Sequence, residues 1–171
     1  MKWLMNAQFS THDLRRALGL FTTGVCIATT RHRDERYGIT INSFSSVSLE
    51  PPLVLFSIAR NLRSFNAFWQ TNGFAINILS SAQQELSTRF SRAGADKWSN
   101  LSVEYGRDGG ILIPDALACF DCRKHASYDG GDHVILVGEV TGIVTSADAD
   151  PLIYYSSCYR RLADPRNCAV A

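Results

Sequence analysis

One stretch decides the fold of this chain, namely Tyr37-Gly-Ile-Thr-Ile-Asn-Ser-Phe-Ser-Ser-Val-Ser-Leu-Glu-Pro-Pro52. It gathers seven hydroxyl or amide side chains before a double proline, and the apolar run Leu53-Val-Leu-Phe56 follows. Small polar residues on an extended backbone can line a ligand, because the backbone N–H groups stay within reach. Ser and Asn are also ordinary loop residues, so composition alone favours a Ser-rich loop before a buried strand.

The composition of the whole chain indicates a globular protein. Its 171 residues are 46% apolar and 19% charged, as expected for one domain over 1–171. The formal net charge of +1, without a long basic run, gives no electrostatic case for nucleic acid or an anionic membrane. We expect no transmembrane segment and no secretion signal, since no apolar run has the required length. The five scattered cysteines suit a reducing, cytoplasmic location.

Periodicity predicts a first helix over 10–21. Ser10 and Asp13 resemble a capping box, and Gly24 is the predicted stop. The apolar face of this helix repeats at helical spacing and consists of Leu14, Ala17, Leu18 and Phe21.

Two further short helices are predicted later in the chain. The helix over 65–71 has Ser64 as its cap and places Phe68 and Trp69 inward. The last helix runs to about residue 90 and opens with a capping box, formed by Ser80 with Gln83 or by Ser81 with Gln84.

Apolar runs and alternation predict six or seven strands. They are placed at 25–30, 37–41, 53–58, 74–79, 117–126, 133–145 and, as a short final element, 151–155. Residues 31–36 are the predicted hairpin tip, Gly138 and Gly142 mark bends, and 91–113 is expected to be irregular. Hairpins and short loops join the strands, which predicts a mainly β fold, an antiparallel barrel with peripheral helices.

Cys119 and Cys122 form a C-x-x-C pair that suggests a metal or redox site. The pair lies in a predicted strand, where residues three apart point to opposite faces, and no second pair is present. This geometry argues against a metal site, and none is predicted.

The segment Gly130-Gly-Asp-His133 delivers an Asp and a His at the start of the longest predicted strand. The two glycines permit a sharp turn there. A histidine in this position is either a hydrogen-bonded structural residue or a catalytic one. Nearby aromatic residues would suit a planar heteroaromatic ligand by stacking, and they include His125, Tyr128, Tyr154, Tyr155 and Tyr159.

Arg60, Arg63 and Arg89 stand beside Ser or Phe residues at predicted loops and helix ends. Arginine with Ser hydroxyls near a helix start can bind an anion or a phosphate, although for any one arginine simple solvent exposure is the more common case. The chain lacks the G-x-G-x-x-G fingerprint, the P-loop and the G-x-S-x-G elbow.

Three blocks in this order resemble the flavin reductase family with the FMN-binding split β-barrel, the reductase components of two-component flavin-dependent monooxygenases. They are Leu-Arg-Arg-Ala-Leu-Gly-Leu-Phe-Thr-Thr-Gly-Val25, the stretch from Tyr37 to Val54, and Gly130-Gly-Asp-His133 with Pro151-Leu-Ile-Tyr-Tyr155 and Tyr159. Phe74-Ala-Ile-Asn-Ile-Leu79, Leu86-Ser-Thr-Arg-Phe90 and Asp96-Lys-Trp98 are similar to further family segments. The resemblance spans about residues 9–162 and leaves 163–171 as a tail.

The resemblance implies a homodimer that binds FMN or FAD, with NADH or NADPH as the reductant. The residues implied to hold the flavin are Gly38, Ile39, Thr40, Asn42 and Ser43 along the ring and ribityl chain, Ser57, Ile58 and Ala59 from the next strand, Arg63 and Ser64 at the phosphate, and Arg89 and Phe90 at the pocket wall. The implied catalytic residue is His133, which would help to place the nicotinamide, with Tyr159 nearby.

The implied activity is that of an NAD(P)H:flavin oxidoreductase that supplies reduced flavin to a separate oxygenase. The cofactors carry the hydride chemistry, so the protein needs no nucleophile and must hold two flat rings together. A flavin-binding split-barrel protein without reductase turnover, such as a carrier or an oxidase, is the alternative, and an unrelated β-barrel binding module is a third. Ser156-Ser157-Cys158 replaces an Arg-Gly pair common in the family, so the chain departs from the family pattern on the nicotinamide side and not on the flavin side.

Overall fold

The computed structural model describes residues 9–94, 96–146 and 149–162. The strands are β1 (Thr23–Gly24), β2 (Cys26–His32), β3 (Glu35–Ile41), β4 (Ser45–Leu49), β5 (Pro52–Ala59), β6 (Gly73–Ile78), β7 (Glu104–Tyr105), β8 (Ile111–Leu112), β9 (Ala118–Gly130), β10 (His133–Thr145), β11 (Ile153–Tyr155) and β12 (Cys158–Arg160). The helices are α1 (Thr11–Leu18), α2 (Phe65–Gln70) and α3 (Gln84–Ser91), with a 3₁₀ turn over Ser81–Gln83.

Seven strands form one antiparallel sheet in the order β3-β2-β6-β9-β10-β5-β4. A small sheet of β1, β11 and β12 and the hairpin β7–β8 complete the β structure. The predicted mainly β fold of hairpin-linked strands is therefore confirmed. Among the described residues, no helix is long and apolar enough to cross a membrane.

Glycines bend the long hairpin of β9 and β10 where the sequence predicts. The pairing register shifts between Val137 and Gly138 and again between Val140 and Gly142. Such bulges bend strands and increase their twist. A Cβ at Gly138 would lie 2.5 Å from the Phe74 ring, so glycine also permits the close packing of β6.

Two hydrophobic clusters fill the interior. The first packs the inward faces of the main sheet around Phe56, Phe68 and Phe74. The second lies beneath α3 and the hairpin of β11 and β12, which we call the C-terminal hairpin, and includes Leu79 and Phe90. The charged hairpin tip is shorter than predicted, because β2 and β3 continue to His32 and Glu35 and leave a two-residue turn with positive φ.

The structure corrects the predicted bounds of the first helix. α1 ends at Leu18, and Gly19 caps it where Gly24 is the predicted stop. Gly24 instead belongs to β1. The Ser10–Asp13 capping box is confirmed, but α1 has no buried residue.

The later helices follow the prediction with two exceptions. Ser64 precedes α2 in a helical conformation, and its side chain makes no cap hydrogen bond. Trp69 is 44% exposed because it follows the fully buried Phe68 by one residue, and it stacks on Phe65 instead of facing the core. The Ser80–Gln83 capping box is confirmed at the 3₁₀ turn before α3.

Two segments differ from the predicted loops. Residues 45–49 of the Ser-rich stretch form β4, an edge strand paired only with β5 among the described strands. The region 91–113, predicted to be irregular, contains the short β7–β8 hairpin. Two-residue strands carry too little alternation to be found from sequence.

Candidate flavin site

Three neighbouring cavities form one groove along β3. Their volumes are about 380, 230 and 210 Å³. Thr40 lines all three, Ile39 and Leu62 line the first and third, and Ile41 and Asn42 line the second and third. We call this continuous space the β3 groove. It runs along one edge of the main sheet, between α3, the end of β5 and the C-terminal hairpin.

Most of the residues predicted for a flavin site line the β3 groove. They are Gly38, Ile39, Thr40, Asn42, Ser43, Ser57, Ala59, Arg63, Ser64, Phe90, His133 and Tyr159. Ile58 does not, because strand alternation turns its side chain into the core, where it is 1% exposed. Arg89 does not line the groove either, since its guanidinium donates to the Ser99 carbonyl at 3.1 Å.

Along the outer edge of β3, side chains bind the outward backbone carbonyls at one end, and the outward N–H of Thr40 faces the groove at the other. Trp98 Nε1 donates to the Arg36 carbonyl at 3.1 Å, and Lys97 Nζ donates to the Gly38 carbonyl at 2.9 Å. Alternate residues of an antiparallel edge strand direct their N–H and C=O groups away from the partner strand. Thr40, two residues beyond Gly38, therefore directs its backbone N–H outward into the groove, where a ligand can accept a hydrogen bond.

Gly38 permits the packing of the groove wall. A Cβ there would lie 2.4 Å from Phe90 Cε1 and 3.2 Å from Trp98. Phe90 and Trp98 meet edge to face, with ring centroids 5.0 Å apart. The missing side chain at 38 is thus explained by the approach of an aromatic ring from α3.

Ser43, between β3 and β4, is hydrogen-bonded to Ser57 of β5 in the wall of the groove. The Ser57 N–H donates to Ser43 Oγ at 3.0 Å, and Ser43 Oγ also lies 3.3 Å from the Ser57 carbonyl. This N–H is therefore already paired. The Ser-rich stretch serves partly to hold its own backbone, a role that composition could not show.

His133 opens β10 opposite Ala59 and lies at the groove end lined by Asn42, Ser43 and Ser57. Its Nδ1 lies 2.7 Å from an Asp132 carboxylate oxygen. This hydrogen bond, followed by the charge of the ring, lowers the pKa of Asp132. The bond orients the imidazole and leaves Nε2 without a recorded partner among the described residues.

Arg60 fixes the turn that carries His133. Its guanidinium binds the Gly131 carbonyl at 3.0 Å and Asp129 at 2.7 Å, and its backbone N–H donates to the Asp132 carbonyl at 3.0 Å. Arg60, one of the arginines considered for an anion site, is thus paired within the protein. Arg63, which lines the largest cavity of the groove, is better placed for that role.

Sequence reasoning missed the contribution of residues 92–94 and 96–98. Arg36, Arg92 and Lys97 line the largest cavity together with Arg63, and Asp96 is the one acidic residue in its wall. Burial lowers the pKa of the Lys97 ammonium, which also donates to the Phe90 carbonyl at 2.8 Å. This cavity is electropositive and suits an anionic part of a ligand. The signal was present in Asp96-Lys-Trp98, which is similar to a family segment.

Tyr159 closes the groove from the C-terminal hairpin. Its ring meets Tyr154 edge to face at 5.5 Å, and both line the same cavity as Thr40. Its hydroxyl shares a hydrogen bond of 2.8 Å with Ser87 of α3. Tyr154 and Tyr159 therefore form an aromatic wall at this end of the groove. Of the other aromatic residues considered for stacking, His125, Tyr128 and Tyr155 line none of its three cavities.

The C-x-x-C pair lies away from the groove. Cys122 packs in the first core cluster, and Cys119 lines a separate cavity of about 270 Å³. Burial raises the pKa of both thiols, that of Cys122 to about 12, so both are neutral at physiological pH. Within 9–94, 96–146 and 149–162, no three His, Cys, Asp or Glu side chains converge on a metal-sized space.

Solved structures share this fold. Flavin reductase PheA2 aligns with a TM-score of 0.84 and 35% identity, over 91% of this chain and 100% of that one. The NADH:FAD oxidoreductase SgcE6 of Streptomyces globisporus, in complex with NAD and FAD fragments, aligns with a TM-score of 0.89 and 30% identity, over 98% and 100%. The class defined by the fold and the groove is that of the split-barrel flavin reductases.

The chain belongs to the flavin reductase like domain family, whose family model matches residues 18–163. The NADH-dependent FMN reductase SmoA of Agrobacterium fabrum is 42% identical over 154 residues, which cover 90% of this chain and 87% of that protein. HsaB of Mycobacterium tuberculosis, the reductase subunit of a flavin-dependent monooxygenase, is 35% identical over 157 residues, covering 91% and 84%. The predicted family and the split-barrel fold are confirmed.

Proposed function

We propose that this chain is a flavin reductase that uses NADH to reduce FMN or FAD. The observation that carries the proposal is the open outer edge of β3 at Thr40, between an electropositive cavity and the end of the groove that holds His133. The bound flavin and nicotinamide would supply the hydride chemistry themselves. We propose that this activity falls in EC sub-subclass 1.5.1.

The residues of the groove fit a flavin. The outward N–H of Thr40 can donate to a polar edge of the ring system, as a preorganised donor that favours added negative charge. The cavity beyond it holds Arg63, Ser64 and Lys97, which suit a phosphate. We infer that the flavin ring lies at Thr40 and that the flavin phosphate points toward Arg63. FMN and FAD share this ring and this phosphate, so the same groove admits either.

The nicotinamide would meet the flavin between His133 and Tyr159. The Asp132 hydrogen bond orients the His133 ring, and the Ser87 hydrogen bond orients Tyr159. Both side chains can hold a flat ring against a second ring and exclude water there. Such positioning supplies a large part of the rate of a transfer between two bound molecules.

One anaerobic experiment tests the proposal. The chain is mixed with FMN in tenfold excess and with NADH, and the loss of flavin absorbance is followed. Bleaching beyond one flavin per chain is expected, because a reductase with an open groove turns over and releases reduced flavin. Flavin binding without bleaching would instead support the carrier or oxidase, and the absence of flavin binding would exclude both functions.

We propose a separate oxygenase as the recipient of the reduced flavin. The names of relatives support this, since HsaB is the reductase subunit of a flavin-dependent monooxygenase. A cytoplasmic location is proposed as well. It agrees with the free thiols of the described cysteines, Cys26, Cys119, Cys122 and Cys158, while Cys168 lies outside the described residues. We further propose that the whole chain is one domain, with its core over about 9–162.

We propose that two copies associate through the apolar side of α1. On α1, Leu14 is 46% exposed and Leu18 is 64% exposed, and Phe21, which follows the end of the helix, is 78% exposed. A helix of eight residues is unstable in water without such a face being covered. Sedimentation should give the mass of a dimer, and Leu18→Glu should shift it toward a monomer. A wild-type monomer at micromolar concentration would refute the dimer.

A further inference from the structure

Ser87 connects two walls of the β3 groove, although it lines none of the three cavities. It lies on α3 and is fully buried. Its carbonyl accepts a hydrogen bond of 2.6 Å from Thr40 Oγ1, on the flavin side of the groove. Its hydroxyl pairs with the Tyr159 hydroxyl at 2.8 Å, on the side of the C-terminal hairpin. Ser87 thus links the β3 side of the groove to the side formed by the C-terminal hairpin.

Backbone hydrogen bonds of Leu152 with Val25 and Leu79 hold the start of the C-terminal hairpin, and its tyrosines pack on the second hydrophobic cluster. Its own strand pairing is short, so the bond to Ser87 adds a fixed point near its end. β11 and β12 have three residues each, and β1 offers β11 only two pairing residues. The turn between them is anchored by one backbone hydrogen bond, from Ser156 N–H to the Gly19 carbonyl at 2.8 Å. Within the part of the chain that the structure describes, the bond to Ser87 is the only side-chain hydrogen bond of residues 153–160.

Loss of the Ser87 hydroxyl would remove the side-chain bond to the C-terminal hairpin and leave the bond from Thr40 of β3 in place. The bond from Thr40 goes to the backbone carbonyl of Ser87, which any residue at 87 retains. The bond to Tyr159 goes to the side chain, which alanine lacks. The two connections can therefore be separated by a single substitution.

We propose that Ser87 is a positioning residue that sets the nicotinamide side of the groove through Tyr159. The proposal rests on the proposed reductase function. Ser87 holds the hydroxyl of Tyr159 and thereby the position of the aromatic wall formed by Tyr154 and Tyr159. That wall determines how closely a nicotinamide can approach a flavin bound at Thr40.

The test compares Ser87→Ala, Tyr159→Phe and the double variant with the wild-type protein. A single hydrogen bond of this kind corresponds to roughly a three- to tenfold effect. We expect Ser87→Ala to raise the KM for NADH by that factor and to leave the FMN Kd within about twofold. In the protein without ligands, hydrogen exchange of residues 153–160 should accelerate by a similar factor. The double variant should be no worse than either single variant, because both remove the same bond.

Thr88→Ala is the matched control. It removes a hydroxyl from the neighbouring position of α3, where Thr88 Oγ1 bonds only to the Gln84 carbonyl of the same helix. Its KM for NADH and its hydrogen exchange should match the wild type. Tyr159→Phe keeps the test valid if Ser87→Ala fails to fold, since Tyr159 is only partly buried.

The possible failures are distinguishable. Wild-type protein that binds FMN but never oxidises NADH would overturn the proposed function. Wild-type turnover together with unchanged KM and unchanged exchange in Ser87→Ala would overturn the role of Ser87 alone. An equal loss of FMN and NADH affinity would also overturn it, because Ser87 would then support the whole groove.

Discussion

Gly38→Ala tests whether glycine at this position serves the packing of the groove wall. The added Cβ would lie 2.4 Å from Phe90 Cε1 and 2.7 Å from Cδ1, whereas ordinary contacts begin at 3.4 Å. Phe90 would have to move by about 1 Å, the difference between 3.4 and 2.4 Å. It is 1% exposed and packs against Trp98, so it has little room. Overpacking of this kind costs about 1–3 kcal/mol.

Thermal unfolding of the protein without flavin measures that cost. For a chain of this size each kcal/mol lowers Tm by about 2–4 °C, so we expect a loss of about 2–12 °C. Phe90→Leu in the Gly38→Ala background should recover part of it. Gly24→Ala is the control, since a Cβ there meets nothing within 4 Å, and its Tm should not fall. An unchanged Tm with lost FMN binding in Gly38→Ala would refute the argument, because glycine would then serve the cofactor.

Three further predictions concern the ends of the groove. His133→Ala should raise the KM for NADH roughly three- to tenfold with a smaller change in the FMN Kd, whereas equal losses would make His133 structural. Arg63→Ala with Ser64→Ala should weaken FMN by about tenfold or more and leave riboflavin unchanged, since only FMN carries phosphate; an equal effect on riboflavin would refute the phosphate assignment. Ser157→Gly should stabilise the protein by about 1 kcal/mol in urea unfolding, because Ser157 has a φ of 62° that glycine adopts without strain; an unchanged midpoint would count against that turn.

Much of the fold could be predicted from the sequence, because the signals for its helices and bends are local. The Ser10–Asp13 and Ser80–Gln83 capping boxes and the bends at Gly138 and Gly142 depend on residues close in the chain, and all appear as predicted. The order of the blocks then indicated the family. The errors concern bounds and burial, as for Trp69, whose neighbour Phe68 takes the core position.

The site was predictable only in part, because its geometry depends on contacts distant in sequence. The resemblance implies that Gly38 contacts the flavin, and the structure adds a reason that the sequence does not show, namely the approach of the Phe90 ring from another element. Lys97 and Trp98 occupy the edge of β3 from a loop about 60 residues away. The role of Ser87 depends on Thr40 and Tyr159 at once. No periodic pattern in the sequence shows which residues from distant segments contact each other.

The central claim is that flavin binds in the β3 groove at the open edge beside Thr40. A crystal structure of the complete chain with FMN tests it most directly. We expect the ring system against the outward N–H of Thr40 and the phosphate beside Arg63 and Ser64. Flavin bound in the separate cavity lined by Cys119, or elsewhere on the surface with the β3 groove empty, would contradict the account.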